Sequence, residues 1–356
     1  MPPDTKRANT RRVFYVNNVA APVFLDILAT RPDIHVDKLE NDSPPAVADP
    51  ILALAHAYQI GSTRQELPMQ FQGYTPLLNR CPNLLVLSTS GAGYDTVSLE
   101  DATAAGVAVV NQAGGNKEGV AEHVLGMMLA LSKRLVASDH VMRSGAPYHR
   151  RDFIGDDIQG RTIGIVGIGH VGTRIAELCR GLFQMRVLAY DPYLTAGQVA
   201  ARGAEKVADL PDLLRQSDYV SVNCPHTAET RLMFGAAEFA QMQPHAYFIT
   251  TARGGIHDEH ALAAALSANQ IAGAGLDVWE QEPPPPDHPL LRFDTVIASP
   301  HTAGVTHQSR HTIAKIAAEQ LIDILDGKKP PRLLNPEVWP TYRTRFAQIL
   351  GFTPEP

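Results

Sequence analysis

Three cysteines in 356 residues, Cys81, Cys179 and Cys224, are too few, too scattered and odd in number for a disulfide framework or a zinc site. They fit a reducing compartment, and each reads as a small buried residue. Long apolar runs are missing as well: none reaches the roughly 18 residues needed to cross a bilayer, and the opening MPPDTKRANTRR has no apolar core of the secretory kind. A cytoplasmic protein is expected. Charge of one sign is not concentrated anywhere. The formal net charge is -6 with acids and bases interspersed, which leaves no stripe for a nucleic acid or an anionic membrane. There are no internal repeats, and the proline clusters EPPPPDHP and KKPP read as surface loops. What the chain does have is length and 44% hydrophobic composition, enough for two domains that each bury a core.

Short β-branched runs alternate with segments of helical period from end to end, which predicts an α/β fold of parallel sheets wrapped by helices. In the first third, strands are expected near RVFYV, IHV, LALAH, LLVLS and VAVVN, with helices near APVFLDILAT, YTPLLNRC and LEDATAAG. That makes a doubly wound sheet of about five strands. The segment NKEGVAEHVLGMMLALSKRLVASDHVMRSG keeps helical spacing for about 25 residues without proline, and predicts one long helix bridging two domains or building a subunit interface. From residue 160 the alternation restarts at TIGIVG, RVLAYD, YVSVNCP, AYFITTARGG, IAGAGLDV and TVIASPH, a second sheet of about six strands. One last helix, HQSRHTIAKIAAEQLIDILDG, follows.

The stretch TIGIVGIGHVG places Gly167, Gly169 and Gly172 between an apolar strand and a helix, the context a dinucleotide fingerprint requires. The first glycine permits a tight turn, the second lets a pyrophosphate approach the backbone, and the third lets helix and strand pack closely. Free amides at the helix start then face the phosphates. Asp191 ends the next strand about 20 residues on, where a carboxylate accepts ribose hydroxyls and repels a 2′-phosphate. NAD is therefore expected over NADP; Arg186 precedes the strand and is not placed to reverse this, although Tyr193 or Thr195 could soften it.

Three later strands also end on polar residues: TTARGG with Arg253, LDVWEQEPP with Asp277 and Glu282, and ASPHTAG with His301. Ligands gather at the carboxyl ends of strands in open α/β sheets. Hydride transfer to a 2-oxo acid needs a cation to hold the carboxylate and polarise the ketone, and an acid to protonate the alkoxide. Arginine's planar fork matches a carboxylate, and histidine supplies the proton near neutrality. Glu282 is the candidate partner that orients the His301 ring.

With these residues the chain resembles the D-isomer-specific 2-hydroxyacid dehydrogenase family, which includes phosphoglycerate dehydrogenase and glyoxylate/hydroxypyruvate reductase. The likeness runs from SGAGYD at 90 to LLNPEV at 338, in order through NKEGVAEH, GIGHVG, DPY, NCPHTAET, TARGG, GLDVWEQEP and SPHTAG. It implies that Arg253, Glu282 and His301 are catalytic, that the amides of Ala92 and Gly93 hold the substrate carboxylate, and that Asp277 contacts the nicotinamide carboxamide. It also implies an NAD site formed by Gly167, Gly169, His170, Val171, Gly172, Asp191, Cys224, Pro225, Thr230, Thr251, Ala252, His301 and Ala303. By the same resemblance, a Rossmann domain (113–305) is inserted into a flavodoxin-like substrate domain (1–112 and 306–356), the active site lies in the cleft between them, and the helix from about 118 to 143 contributes to a homodimer.

Some features depart from the family or bear on rival functions. His226 follows Pro225 where a leucine is common, and the stretch 58–75 is longer and more polar than usual, as either a specificity element or a surface excursion. His307 and His311 stand one helical turn apart, a metal-compatible spacing that without a third ligand reads as a solvated face. An NAD(H)-sensing scaffold like the corepressor relatives is the alternative to an enzyme. Formate oxidation is disfavoured because relatives that perform it carry glutamine where this chain has Glu282, and phosphite oxidation because Ala92 stands where that relative has lysine.

Overall fold

Alternating strands and helices build two parallel sheets in the computed structural model, which describes residues 10–356. The first unit takes in the chain up to Asn116 together with His307–Pro356; the second is Lys117–Thr306. In the first, β1 (Arg11–Val16), α1 (Val23–Leu28), β2 (Ile34–Leu39), α2 (Pro45–Leu54), β3 (Ala57–Ile60), α3 (Thr75–Arg80), β4 (Val86–Thr89), α4 (Leu99–Ala104) and β5 (Ala108–Val110) follow one another. The sheet order is β2-β1-β3-β4-β5, all parallel. All four β3 residues are buried, as a central strand covered on both faces requires.

The expected strand at LALAH is corrected: Leu52, Ala53 and Leu54 close α2, and the strand is the next run, Ala57–Ile60. A short apolar run has no periodicity that separates a buried helix from a strand. The decisive signal is Pro45 at the first helical position, where a missing N–H is tolerated. The stretch 58–75 begins inside β3 and continues through two 3-10 turns, Arg64–Glu66 and Met69–Phe71. Its Phe71 is fully buried and its carbonyl accepts the Tyr58 hydroxyl at 3.1 Å, which anchors the end of the stretch to the sheet, while Gly61, Arg64, Gln65, Glu66, Met69 and Gln70 are exposed.

The second unit runs through α5 (Lys117–Ser132), α6 (Leu135–Ser144), β6 (Thr162–Val166), α7 (His170–Phe183), β7 (Arg186–Tyr190), α8 (Ala196–Ala201) and β8 (Glu205–Lys206). It continues with α9 (Leu210–Gln216), β9 (Tyr219–Val222), α10 (Ala236–Phe239), β10 (Tyr247–Thr250), α11 (Glu259–Ser267), β11 (Gly273–Leu276) and β12 (Val296–Ala298). The order is β12-β11-β10-β9-β6-β7-β8, so the sheet has seven strands and not six. The extra one, β8, is the dipeptide Glu205–Lys206, which offers no apolar run to read. Strand order reverses between β6 and β9, and that switch point opens the crevice where such sheets bind ligands.

The single long helix is also corrected, because it breaks between α5 and α6, where Arg134 adopts φ 51°. The Ser132 carbonyl is covered by Gly155, where an added Cβ would sit 2.2 Å from that oxygen, and it accepts the Asp156 amide at 2.9 Å. The turn at 155–156 thus occupies this carbonyl at the residue where α5 ends. The Ser132 hydroxyl adds a 2.7 Å bond to the Tyr219 hydroxyl beneath the sheet.

Returning to the first unit, α12 (His307–Leu325) lays Ala314, Ala317, Ala318, Leu321 and Ile324 into the core with Phe24 and Leu28. It is not the last helix: α13 (Trp339–Leu350) follows, with Trp339, Tyr342 and Phe346 buried on one face. Asn335, itself fully buried, ties this tail to β5, accepting the Val109 amide at 2.9 Å and donating to the Val107 carbonyl at 3.0 Å.

Candidate active site

The chain leaves β6 through Gly167 at φ 85°, a left-handed conformation that suits glycine. A Cβ there would lie 2.8 Å from the Cys224 amide nitrogen, so the turns after β6 and β9 touch through backbone. Gly172 packs equally close, with 2.5 Å from its would-be Cβ to the Gly167 carbonyl, whereas Gly169 faces open space. The first bond inside α7 runs from Thr173 to the Gly169 carbonyl at 2.9 Å, which leaves the amides of His170, Val171 and Gly172 at the helix's positive end. Asp191 sits beside this loop, its carboxylate accepting the Ile168 amide at 3.2 Å and the Tyr193 amide at 3.1 Å. A bare glycine face, free amides and a fixed carboxylate suit the pyrophosphate and ribose of a dinucleotide. Sequence reading missed Arg202, which reaches back from the end of α8 and donates to the Ile168 carbonyl at 2.5 Å.

Beyond β9, Thr230 donates to the Pro225 carbonyl at 2.6 Å and accepts the Thr227 amide at 2.8 Å, closing the loop that carries Cys224 and Pro225. The departure at His226 has a structural place: its ring lies 3.3 Å from where a Cβ on Gly255 would project. Burial pushes the Cys224 thiol up to about 11, and those of Cys81 and Cys179 up to about 12, so all three stay protonated near neutrality. Thr251 and Ala252 follow β10 directly, and the Ala252 carbonyl accepts the Arg253 guanidinium at 2.7 Å.

His301 follows β12 with φ 54°, a left-handed backbone that costs an L-residue about 1–2 kcal/mol. Asp277 stabilises that conformation. Its carbonyl accepts the His301 amide at 2.7 Å, and its fully buried carboxylate accepts the Ser299 hydroxyl at 2.6 Å, the Thr302 amide at 2.8 Å and the Ala303 amide at 2.9 Å. His123 completes the set with its Nε2 2.9 Å from the Ser299 hydroxyl. The Asp277 carboxylate is thus engaged with the loop that presents His301.

Glu282 Oε2 lies 2.8 Å from His301 Nδ1, and Glu282 Oε1 accepts the Trp279 amide at 3.1 Å. Burial would raise the Glu282 carboxyl. The His301 hydrogen bond and charge, the Trp279 amide and the Arg253 charge outweigh it, and the group is held below the usual carboxylate range. A carboxylate that accepts at Nδ1 leaves Nε2 as the ring atom able to give or take a proton. Arg253 and Gly254 form the facing turn. A Cβ on Gly254 would fall 1.9 Å from the Trp279 carbonyl, so the arginine turn rests directly on the glutamate loop.

The structure therefore brings Arg253, Glu282 and His301 together at the carboxyl ends of neighbouring strands. Ala92 and Gly93 belong to the first unit, in a loop where Gly91, at φ 82°, donates to Gln112 at 2.9 Å and the Ala92 carbonyl accepts Asn111 at 2.9 Å. His307 and His311 are exposed on α12.

Residues 125–303 match the family model described as the D-isomer specific 2-hydroxyacid dehydrogenase, NAD binding domain. Glyoxylate/hydroxypyruvate reductase B of Salmonella heidelberg is 35% identical over 316 residues, covering 88% of this chain and 95% of the relative. D-3-phosphoglycerate dehydrogenase of Archaeoglobus fulgidus is 35% identical over 279 residues, 75% of this chain but 52% of that longer protein. Among solved structures, apo D-mandelate dehydrogenase of Rhodotorula graminis superposes with a TM-score of 0.80 at 25% identity, covering 91% of this chain and 97% of its own. The chain accordingly belongs to the D-isomer-specific 2-hydroxyacid dehydrogenases, a family of NAD-dependent oxidoreductases.

Proposed function

We propose that the protein reduces a small 2-oxo acid to its D-2-hydroxy acid with NADH, using Arg253, Glu282 and His301. The observation that carries this reading is the 2.8 Å pair of Glu282 and His301, set in a sheet whose β6 ends in the bare glycine turn. Bound NADH would supply the hydride to the carbonyl carbon. His301 then gives the proton on Nε2 to the ketone oxygen, and Glu282 balances the positive ring before transfer. Arg253 holds the carboxylate through its fork and polarises the ketone. The amides of Ala92 and Gly93 are the further proposed partners of that carboxylate. The same steps in reverse oxidise the hydroxy acid.

The test is NADH consumption against glyoxylate, hydroxypyruvate, pyruvate and bulkier 2-oxo acids. Turnover with at least one, giving the D-product, is expected; a folded, NADH-binding preparation that turns over none would overturn the reading. Asp191→Ala should weaken NADH binding and narrow the gap between NADH and NADPH, since the carboxylate that repels a 2′-phosphate goes while Arg202 stays on the glycine loop. Fluorescence titration with both cofactors checks this, and an unchanged NADH-to-NADPH ratio would remove Asp191 from that role.

The cytoplasm is the proposed location, in keeping with three unpaired protonated thiols. A homodimer is the proposed assembly, supported by the apolar side chains that α6 and the segment after it expose: Leu135 and Val136 at 54%, Met142 at 62% and Ile154 at 73%.

A further inference from the structure

A second carboxylate–imidazole pair lies below the glutamate loop, outside the proposed catalytic groups. Glu259 opens α11 and is only 9% exposed; the His288 side chain is 12% exposed. Both Glu259 oxygens are engaged. Oε2 lies 3.0 Å from His288 Nε2, and Oε1 accepts the Glu280 amide at 2.8 Å. His288 Nδ1 accepts the Leu290 amide at 3.3 Å, so the ring proton sits on Nε2 and is donated to Glu259. The His288 ring also meets the Trp279 indole edge to face at 5.4 Å.

A carboxylate this buried is costly to desolvate, and such a pair is a poor source of net stability. Its contacts suggest another use. The peptide that Glu259 grips lies between Trp279 and Glu282. Trp279 is itself fixed by its indole N–H to the Ser299 carbonyl at 3.1 Å, and Ser299 belongs to the loop presenting His301. Burial pushes the neighbouring His257 down to about 4, so it stays neutral and does not compete for the Glu259 charge.

We propose that Glu259 and His288 are positioning residues that hold the Trp279–Glu282 loop so that Glu282 meets His301 Nδ1. The proposal rests on the dehydrogenase reading above. Geometry of this kind must be kept to within about 0.5 Å, and a 1 Å misplacement is worth on the order of 100-fold in rate.

The experiment compares the full-length wild type with Glu259→Gln, His288→Leu and His288→Gln. In Glu259→Gln, the amide and the His288 Nε2–H present two donors to each other, or else the Glu280 amide loses its acceptor. His288→Leu removes the donor, and His288→Gln restores one. We expect kcat to fall roughly 10- to 100-fold in the first two. NADH affinity should stay within about twofold and the acid limb of the kcat/KM pH profile should move, with His288→Gln recovering most of the rate. The indole N–H signals give a second readout independent of turnover: that of Trp279 should shift or exchange faster, and that of Trp339, in the other unit, should not. Wild-type kcat with an unmoved Trp279 signal would overturn the proposal. So would loss of NADH binding and thermal stability together, which would mean that the pair only holds the fold. A wild type that turns over no 2-oxo acid, while the variants still release Trp279, would remove the dehydrogenase reading and leave the loop-holding role standing.

Discussion

His301→Asn is expected to lower kcat/KM for the best 2-oxo acid by a factor on the order of 100 to 10,000 while NADH binding stays nearly intact. Asparagine can still donate to Glu282 from about the position of Nδ1, so the loop keeps its shape. What it lacks is a titratable atom at the position of Nε2. Arg253→Ala should cost a similar factor, divided between a higher KM for the carboxylate and a lower kcat for the unpolarised ketone. Steady-state kinetics beside fluorescence titration of NADH separates the two effects. Equal loss of cofactor affinity in both variants would mean that these side chains support the nucleotide site and not the reaction. Because Glu282 is held below the usual carboxylate range, it remains charged through mild acidity and its support of His301 is lost only as the pH falls through that lowered value.

Gly254→Ala should be nearly as damaging although it adds one methyl group. The new carbon would meet the Trp279 carbonyl oxygen at 1.9 Å, the Trp279 carbonyl carbon at 2.2 Å and the Glu280 amide nitrogen at 2.6 Å. All three are backbone atoms, so no side chain can rotate away and the two loops must separate. That displacement parts Arg253 from Glu282, and a loss of about 100-fold in kcat/KM is expected. Overpacking of this sort also costs about 1–3 kcal/mol, a fall in Tm of a few degrees. Wild-type rate and melting temperature in this variant would show that the two loops can part without disturbing Arg253 and Glu282.

The site was more legible than parts of the scaffold, for physical reasons. Residues such as Arg253 and His301 stand where an apolar strand stops, and a polar residue there needs a reason that strand chemistry does not provide. The glycines of the β6 turn are readable because close backbone approach excludes other residues. Helix α2 was hidden because LALAH suits a buried helix as well as a strand. The break at Arg134 was hidden because the contact that marks it, the seat of Gly155 and Asp156 on the Ser132 carbonyl, lies more than twenty residues along the chain. Helix α13 went unread although Trp339, Tyr342 and Phe346 mark its buried face, because only three anchors in a polar tail give a faint period. Arg202, His123 and the Glu259–His288 pair could not be found by spacing, since each acts on a partner brought near only by folding.

The two-residue strand β8 also bears on how copies of this protein can meet. It closes the nucleotide-side margin of the seven-stranded sheet with one acid and one base, both exposed, and Arg186 clamps the acid at 2.7 Å. So brief and charged a border gives an incoming strand almost no ladder to extend. Fibrous growth by strand addition is disfavoured along that margin, and a contact made there would rest on side chains and not on a backbone ladder.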